Sequence, residues 1–237
     1  MEEVIALLEG LAYPKSNEQR KSCENKLSEL RKQDPKIFLY YMSECLNNED
    51  VKINSRYLSG IIFKNSVLNI SKEDECDRLW YNMSDDERDI LKTSLLKALA
   101  CDNKDVMRAT GSAISAVAKL EIPYGQWLDI IDILCNNTSH QLDNIREASL
   151  LTLGYICEEL SSKDLQREQA DYVISASLQS LKANPASPKD LLYAIRSLYH
   201  SIKFSVKHFG DGYGGMIMDG IYETLKHSDA QIRTIAM

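Results

Sequence analysis

The sequence predicts an all-α protein built from stacked helix pairs, on three observations. Apolar residues recur at helical spacing from end to end, no stretch alternates with the two-residue period of a strand, and the helices come in twos. The pairs repeat about every 40 residues, the length of HEAT and armadillo units. One such pair cannot bury its own apolar face, so neighbours must stack into a continuous core. The fold expected is a right-handed α-α superhelix, a HEAT/armadillo-type solenoid of about five and a half helix pairs.

Val4, Leu7, Leu8 and Leu11 make the first apolar stripe, and Leu27 and Leu30 continue it after a break at Pro14-Lys15-Ser16-Asn17. Asp34-Pro35 opens the next stripe, Ile37, Phe38, Tyr41, Met42, Cys45 and Leu46; proline suits a first turn, where its missing N–H costs nothing. Further stripes are Ile90, Leu91, Leu95, Leu96 and Leu99, then Ile114, Val117, Ala118 and Leu120, then Trp127, Ile130, Ile131 and Leu134. Leu150, Leu151, Leu153, Ile156 and Leu160 follow, then Val173, Ile174, Leu178 and Leu181, and lastly Leu191, Leu192, Ile195, Leu198 and Ile202.

These stripes predict helices at 2–12 with 17–32, 35–46 with 51–68, 86–101 with 104–119, 125–137 with 141–160, 168–183 with 188–207, and 213–227 with a partner from 229. The repeats are accordingly 1–32, 35–68, 86–119, 125–160, 168–207 and an incomplete 213–237. Residues 69–85 are polar and read as a link between the second and third repeats, anchored by Trp80. The last amphipathic segment has no polar closing face, which a terminal repeat needs, so the chain is expected to be part of a longer solenoid. An acid followed by Arg stands near several second helices: Asp50 with Arg56, Asp105 with Arg108, Asp143 with Arg146, Asp229 with Arg233. The acid would cap the helix and the Arg tie adjacent repeats.

The net charge of −7 and pI near 5.2 disfavour nucleic acid and favour basic partners. No apolar run reaches the roughly 18 residues of a membrane span, so membrane insertion is not expected. The N-terminal Met-Glu-Glu-Val-Ile puts acid where a secretory signal carries Lys or Arg. The six cysteines are scattered with no Cys-x-x-Cys pair and read as reduced thiols.

No Walker loop, Gly-x-Ser-x-Gly elbow or His-Glu-x-x-His is present, so neither catalysis nor a cofactor is expected. Gly210-Asp211-Gly212-Tyr213-Gly214-Gly215 reads as an inter-helix turn, without the Lys-Ser/Thr of a phosphate cradle. Cys135 and His140 lack further ligands, so no metal is expected; His200 and His208 read as core-edge and surface residues. What remains is a protein that works by binding other proteins.

Three stretches carry a resemblance to a known family. Ser59-Gly60-Ile61-Ile62-Phe63-Lys64-Asn65-Ser66 resembles the N-terminal motif of importin-β-type karyopherins, whose N-terminal domain would cover about 20–101. Leu120-Glu121-Ile122-Pro123 with Gln126-Trp127 resembles the opening of the family's fourth repeat, and Leu153-Gly154-Tyr155-Ile156-Cys157-Glu158 its end. By periodicity alone Ile61, Ile62, Tyr155 and Ile156 are core and Trp127 anchors a first helix.

The resemblance implies a nuclear import receptor that carries protein cargo through nuclear pores, moving between cytoplasm and nucleus. It implies contact of second helices, including Lys64 and Asn65, with the GTP-bound small GTPase Ran. It also implies a pocket for nucleoporin Phe-Gly repeats at Ile174, Ser175, Leu178, Phe209, Met216 and Ile217, against an ordinary core role for Ile174 and Leu178. An importin-α-type adaptor or basic cargo would bind chiefly beyond residue 237. The competing expectation is a static HEAT scaffold of a phosphatase or vesicle-coat complex.

Overall fold

The computed structural model describes residues 1–68, 76–182, 187–205 and 213–236. All regular structure among them is helical, and the chain divides into two compact units, Met1–Val117 and Ala118–Met237. No described helix is long and apolar enough to cross a membrane.

The first unit holds α1 (Glu2–Ala12), α2 (Asn17–Gln33), α3 (Pro35–Asn47), α4 (Ile53–Val67), α5 (Cys76–Tyr81), α6 (Asp85–Leu99) and most of α7 (Lys104–Glu121). Local chemistry sets the starts. The Asp34 carboxylate accepts from the Ile37 N–H at 3.0 Å with Pro35 in the first turn, and the Ser84 hydroxyl accepts from the Glu87 N–H while Glu87 reaches back to the Ser84 N–H at 2.7 Å. The Asn103 side chain caps α7 by accepting from the N–H groups of Asp105 and Val106.

α1 packs on α2, α3 on α4, and α3 on α6. Their shared core is Leu8, Phe38, Leu39, Met42, Leu46, Phe63, Leu91 and Leu95, all buried. Burying each is worth roughly 1.5–3 kcal/mol. The predicted link at 69–85 contains the six-residue helix α5, and Trp80 on it is 1% exposed; residues 69–75 lie outside the described ones.

Several members of the predicted stripes, among them Leu11, Leu30 and Leu96, are only half-buried, and two are exposed. Ile37 is 48% exposed and Ile90 55%, because each stripe is wider than the neighbouring helix can cover.

The second unit holds a short 3-10 turn (Ile122–Tyr124), α8 (Asp129–Asn137), α9 (Asp143–Glu159), α10 (Arg167–Lys182), α11 (Pro188–Ser205), α12 (Tyr213–Leu225) and α13 (Ala230–Ala236). First helices stack on first helices, α8 on α10 and α10 on α12; second helices do the same, α9 on α11 and α11 on α13. Where α9 meets α11, a Cβ on Gly154 would lie 3.5 Å from the Ser197 backbone nitrogen.

Trp127 precedes α8 instead of anchoring it. Its φ is +49° and Gly125 sits at +74°, so two left-handed residues turn the chain before the helix begins at Asp129. In the glycine-rich stretch, 210–212 lie outside the described residues, while Tyr213, Gly214 and Gly215 open α12 as helix rather than turn.

In two of its four instances the acid–Arg signature resolves into a grip on the loop before the second helix. Arg146 donates to the carbonyls of His140 and Gln141 at 2.8 and 3.0 Å, and Arg233 to those of His227 and Ser228, both at 2.7 Å. Arg146 also pairs with Asp143 at 2.5 Å and reaches Asp190 of α11 at 3.3 Å, joining adjacent repeats. Arg56 departs from the expectation: it bonds the Leu46 carbonyl at 3.0 Å and approaches the Cys101 sulfur, not Asp50. Arg108 pairs with Asp105 at 3.5 Å in an exposed position.

Candidate functional site

The first predicted site lies on α4. Its buried arc is Ser55, Arg56, Ser59, Gly60, Phe63, Ser66 and Val67, spaced three and four apart. Most of these are small because α7 comes close. A Cβ on Gly60 would stand 2.8 Å from that of Ala109. Ile61 and Ile62, expected in the core, are therefore only half-buried; small residues occupy the inner arc and push the larger ones to its edge.

Lys64 is half-buried and Asn65 exposed, both outside that arc. Tyr57 (38% exposed), Ile61 and Lys64 fall at i, i+4 and i+7, so an aromatic ring, an aliphatic chain and an ammonium share one strip. Tyr57 was missed in the sequence, where the i−7 spacing from Lys64 is the signal that finds it. Such a strip suits a protein surface with both apolar and acidic contacts.

The second predicted site draws on α10 and α12, which pack together. Ile174, Leu178 and Ile217 are buried in one cluster with Leu198, at 2% exposure or less. Ser175 is half-buried and Met216 46% exposed. Phe209 lies outside the described residues. Ile174, Leu178 and Ile217 thus bind α10 to α12, and of the described members of the set only Ser175 and Met216 present surface. Further along α12, Met218 and Tyr222 are each 60% exposed, four residues apart on one face.

Cys135 and Cys157 are buried, and burial is the main reason both thiols are pushed up, that of Cys157 to about 12. They stay protonated at neutral pH and are poor nucleophiles. His200 is half-buried, 3.8 Å from Glu158. No group of three or more metal-ligating side chains occurs among the described residues.

Within the second unit, two rows of helices, first on first and second on second, have the arrangement of a HEAT-type repeat array, a class of protein that works by binding. The importin-β N-terminal domain family matches residues 23–100. Importin subunit beta-1 of Arabidopsis thaliana is 30% identical over 92% of the chain, and that of Saccharomyces cerevisiae 26% identical over 99%. The chain spans about a quarter of the length of these relatives, 25% and 28% respectively. Among solved structures, yeast importin-β (Kap95p) superposes over 99% of the chain and 28% of its own, at 25% identity and a TM-score of 0.87. In a structure with RanGDP, Kap95p gives a TM-score of 0.91, and in a complex with Nup1 0.86, each at the same identity and coverage. Residues 23–100 thus belong to the importin-β N-terminal domain family, and the chain is similar to importin-β over nearly all of its length.

Proposed function

We propose that this chain is part of a nuclear import receptor that binds Ran in its GTP form and nucleoporin Phe-Gly repeats, and so carries protein cargo through nuclear pores between cytoplasm and nucleus. It acts by binding, without a reaction of its own. The observation that carries the reading is the 0.91 TM-score over 99% of the chain to Kap95p in its structure with RanGDP. The complex of Kap95p with Nup1 supports the nucleoporin half. The comparisons do not favour a phosphatase or coat-complex scaffold.

For Ran, the contact proposed is the α4 strip, Lys64 and Asn65 with Tyr57 and Ile61 beside them. For Phe-Gly repeats, it is the α10–α12 surface, with Ser175 and Met216 at the rim and Ile174, Leu178 and Ile217 as a rigid floor; Phe209 belongs to the same proposal. Contacts of single rings with a small apolar site exchange fast, which suits transit. An importin-α-type adaptor or basic cargo completes the proposed partner set.

The test is the affinity of the chain for Ran loaded with a non-hydrolysable GTP analogue against Ran·GDP. Kap95p binding drives the switch loops of RanGDP to the GTP-bound conformation. The GDP form therefore has to supply that rearrangement, and the expected outcome is weaker binding to it, not none. A preference of about tenfold or more for the GTP form, reduced by Lys64→Glu, is expected. Equal affinity for both forms, or binding to neither, refutes the proposal.

A further inference from the structure

α3 and α6, packed together within the first unit, leave an open groove that none of the roles above uses. One part is a cavity of about 170 Å³ walled by Ile37, Tyr40 and Ile90, with Met83 and Leu91 buried beneath. For scale, an apolar cavity of roughly 150 Å³ accepts a benzene ring. The three wall residues are 48%, 43% and 55% exposed, an unusual concentration of large apolar side chains in water.

The groove continues past Tyr40 and Ile90 into a wider basin of about 540 Å³ that carries the carboxylates of Glu44, Asp86 and Asp89. Asp89 is paired with Lys92 at 2.9 Å, and Lys36 at the apolar end is neutralised by Glu87 at 3.0 Å. Among the described residues neither Glu44 nor Asp86 is in an ion pair. Lys97 is the basin's only cation among its lining residues. An apolar socket for one ring therefore adjoins a basin with a surplus of negative charge.

We infer that this groove binds a linear protein segment carrying an aromatic side chain next to Arg or Lys, the ring seated between Ile37, Tyr40 and Ile90 and the cation facing Glu44 and Asp86. Charge complementarity selects this occupant: nucleic acid meets repulsion, and a second copy of the chain brings a net charge of −7. An uncharged Phe-containing repeat fills the socket but leaves the carboxylates unanswered. The site uses none of the residues proposed for Ran or Phe-Gly repeats and does not rest on the transport reading.

The probe is a short fluorescein-labelled peptide with a single Phe flanked by Arg, titrated with the full chain by fluorescence anisotropy. Saturable binding with a Kd on the order of 10–100 µM is expected, weakening with added salt. Replacing the peptide's Phe by Ala, or its Arg by Ser, should each weaken binding about fivefold or more. In the protein, Ile90→Arg and the pair Glu44→Gln with Asp86→Asn should do the same; all three positions lie at or near the surface, and far-UV circular dichroism checks that the variants fold. Equal binding of an Arg→Ser or Arg→Glu peptide overturns the proposal. So does Ile90→Arg without effect, or no binding up to about 1 mM.

Discussion

Gly60 offers the sharpest test of how these repeats pack. In Gly60→Ala the new methyl would stand 2.8 Å from the Cβ of Ala109, 3.2 Å from Leu46 Cδ2 and 3.3 Å from the Ala109 carbonyl carbon. The nearest obstacle is fixed to the α7 backbone, so it cannot swing away. Two terms oppose each other: alanine favours the helix over glycine by about 0.5–1 kcal/mol, and overpacking a close-packed core costs about 1–3 kcal/mol. The net expectation is a loss of about 1–2 kcal/mol, seen as a lower midpoint in urea unfolding at unchanged slope. If the two units unfold separately, only the transition of the first should move. Ala109→Gly alone should cost about 1 kcal/mol through helix propensity. Combined with Gly60→Ala it should recover the clash, giving a favourable coupling of about 1 kcal/mol or more. Wild-type stability in Gly60→Ala, or additive costs in the double variant, would show that the helices are not held apart by these two residues.

Three further outcomes follow from contacts described above. Arg146→Ala removes the partner of Asp190, whose side chain is only 5% exposed, and frees two loop carbonyls; a loss of about 2–4 kcal/mol in urea unfolding is expected. A loss under about 0.5 kcal/mol would mean the pair is worth no more than a surface contact. Trp80→Ala empties the site of a side chain 1% exposed and should cost about 3–5 kcal/mol by the same measurement. Burial lowers the His200 pKa below its usual 6.5, outweighing the pull of Glu158. Unfolded chain then binds the proton more readily, so this contribution to stability is present above pH 6.5 and is lost as pH falls below it. His200→Gln should flatten the urea midpoint between about pH 7.5 and 5.5, and an unchanged slope would assign the effect to other groups.

How much of this was legible in the sequence depends on which physical rule governs each element. Helix starts governed by capping were readable, because Asp34-Pro35 and Ser84 with Glu87 carry their own signature. The entry into α8 was not, since it turns on the backbone of Gly125 and Trp127, and a positive φ at tryptophan has no signature in a single sequence. α5, at six residues, is too short to show a period, and its bulky Trp80 was the one readable sign.

The functional surface was hard to read for a related reason. Periodicity assigns every apolar residue of a stripe to the core, yet the neighbouring helix covers only so wide an arc. On α4 the inner arc selects for size, so Ser55, Ser59 and Gly60 are buried while Ile61 and Ile62 are moved to the edge. On α3 and α6 the stripes include Ile37 and Ile90, which stacking leaves in water. On α10 and α12 the opposite holds: Ile174, Leu178 and Ile217 are consumed by packing, and among the described members of the set Met216 is left as the exposed apolar one. An isolated exposed apolar residue is ordinary, but Ile37, Tyr40 and Ile90 converge from two helices on one cavity. In an array where each helix meets neighbours of fixed spacing, the width of a stripe in excess of what those neighbours cover becomes surface available to partners. Partner surfaces should therefore lie at the outer edges of the widest stripes. That criterion needs the helix neighbours as well as the sequence, and here it selects the α3–α6 groove.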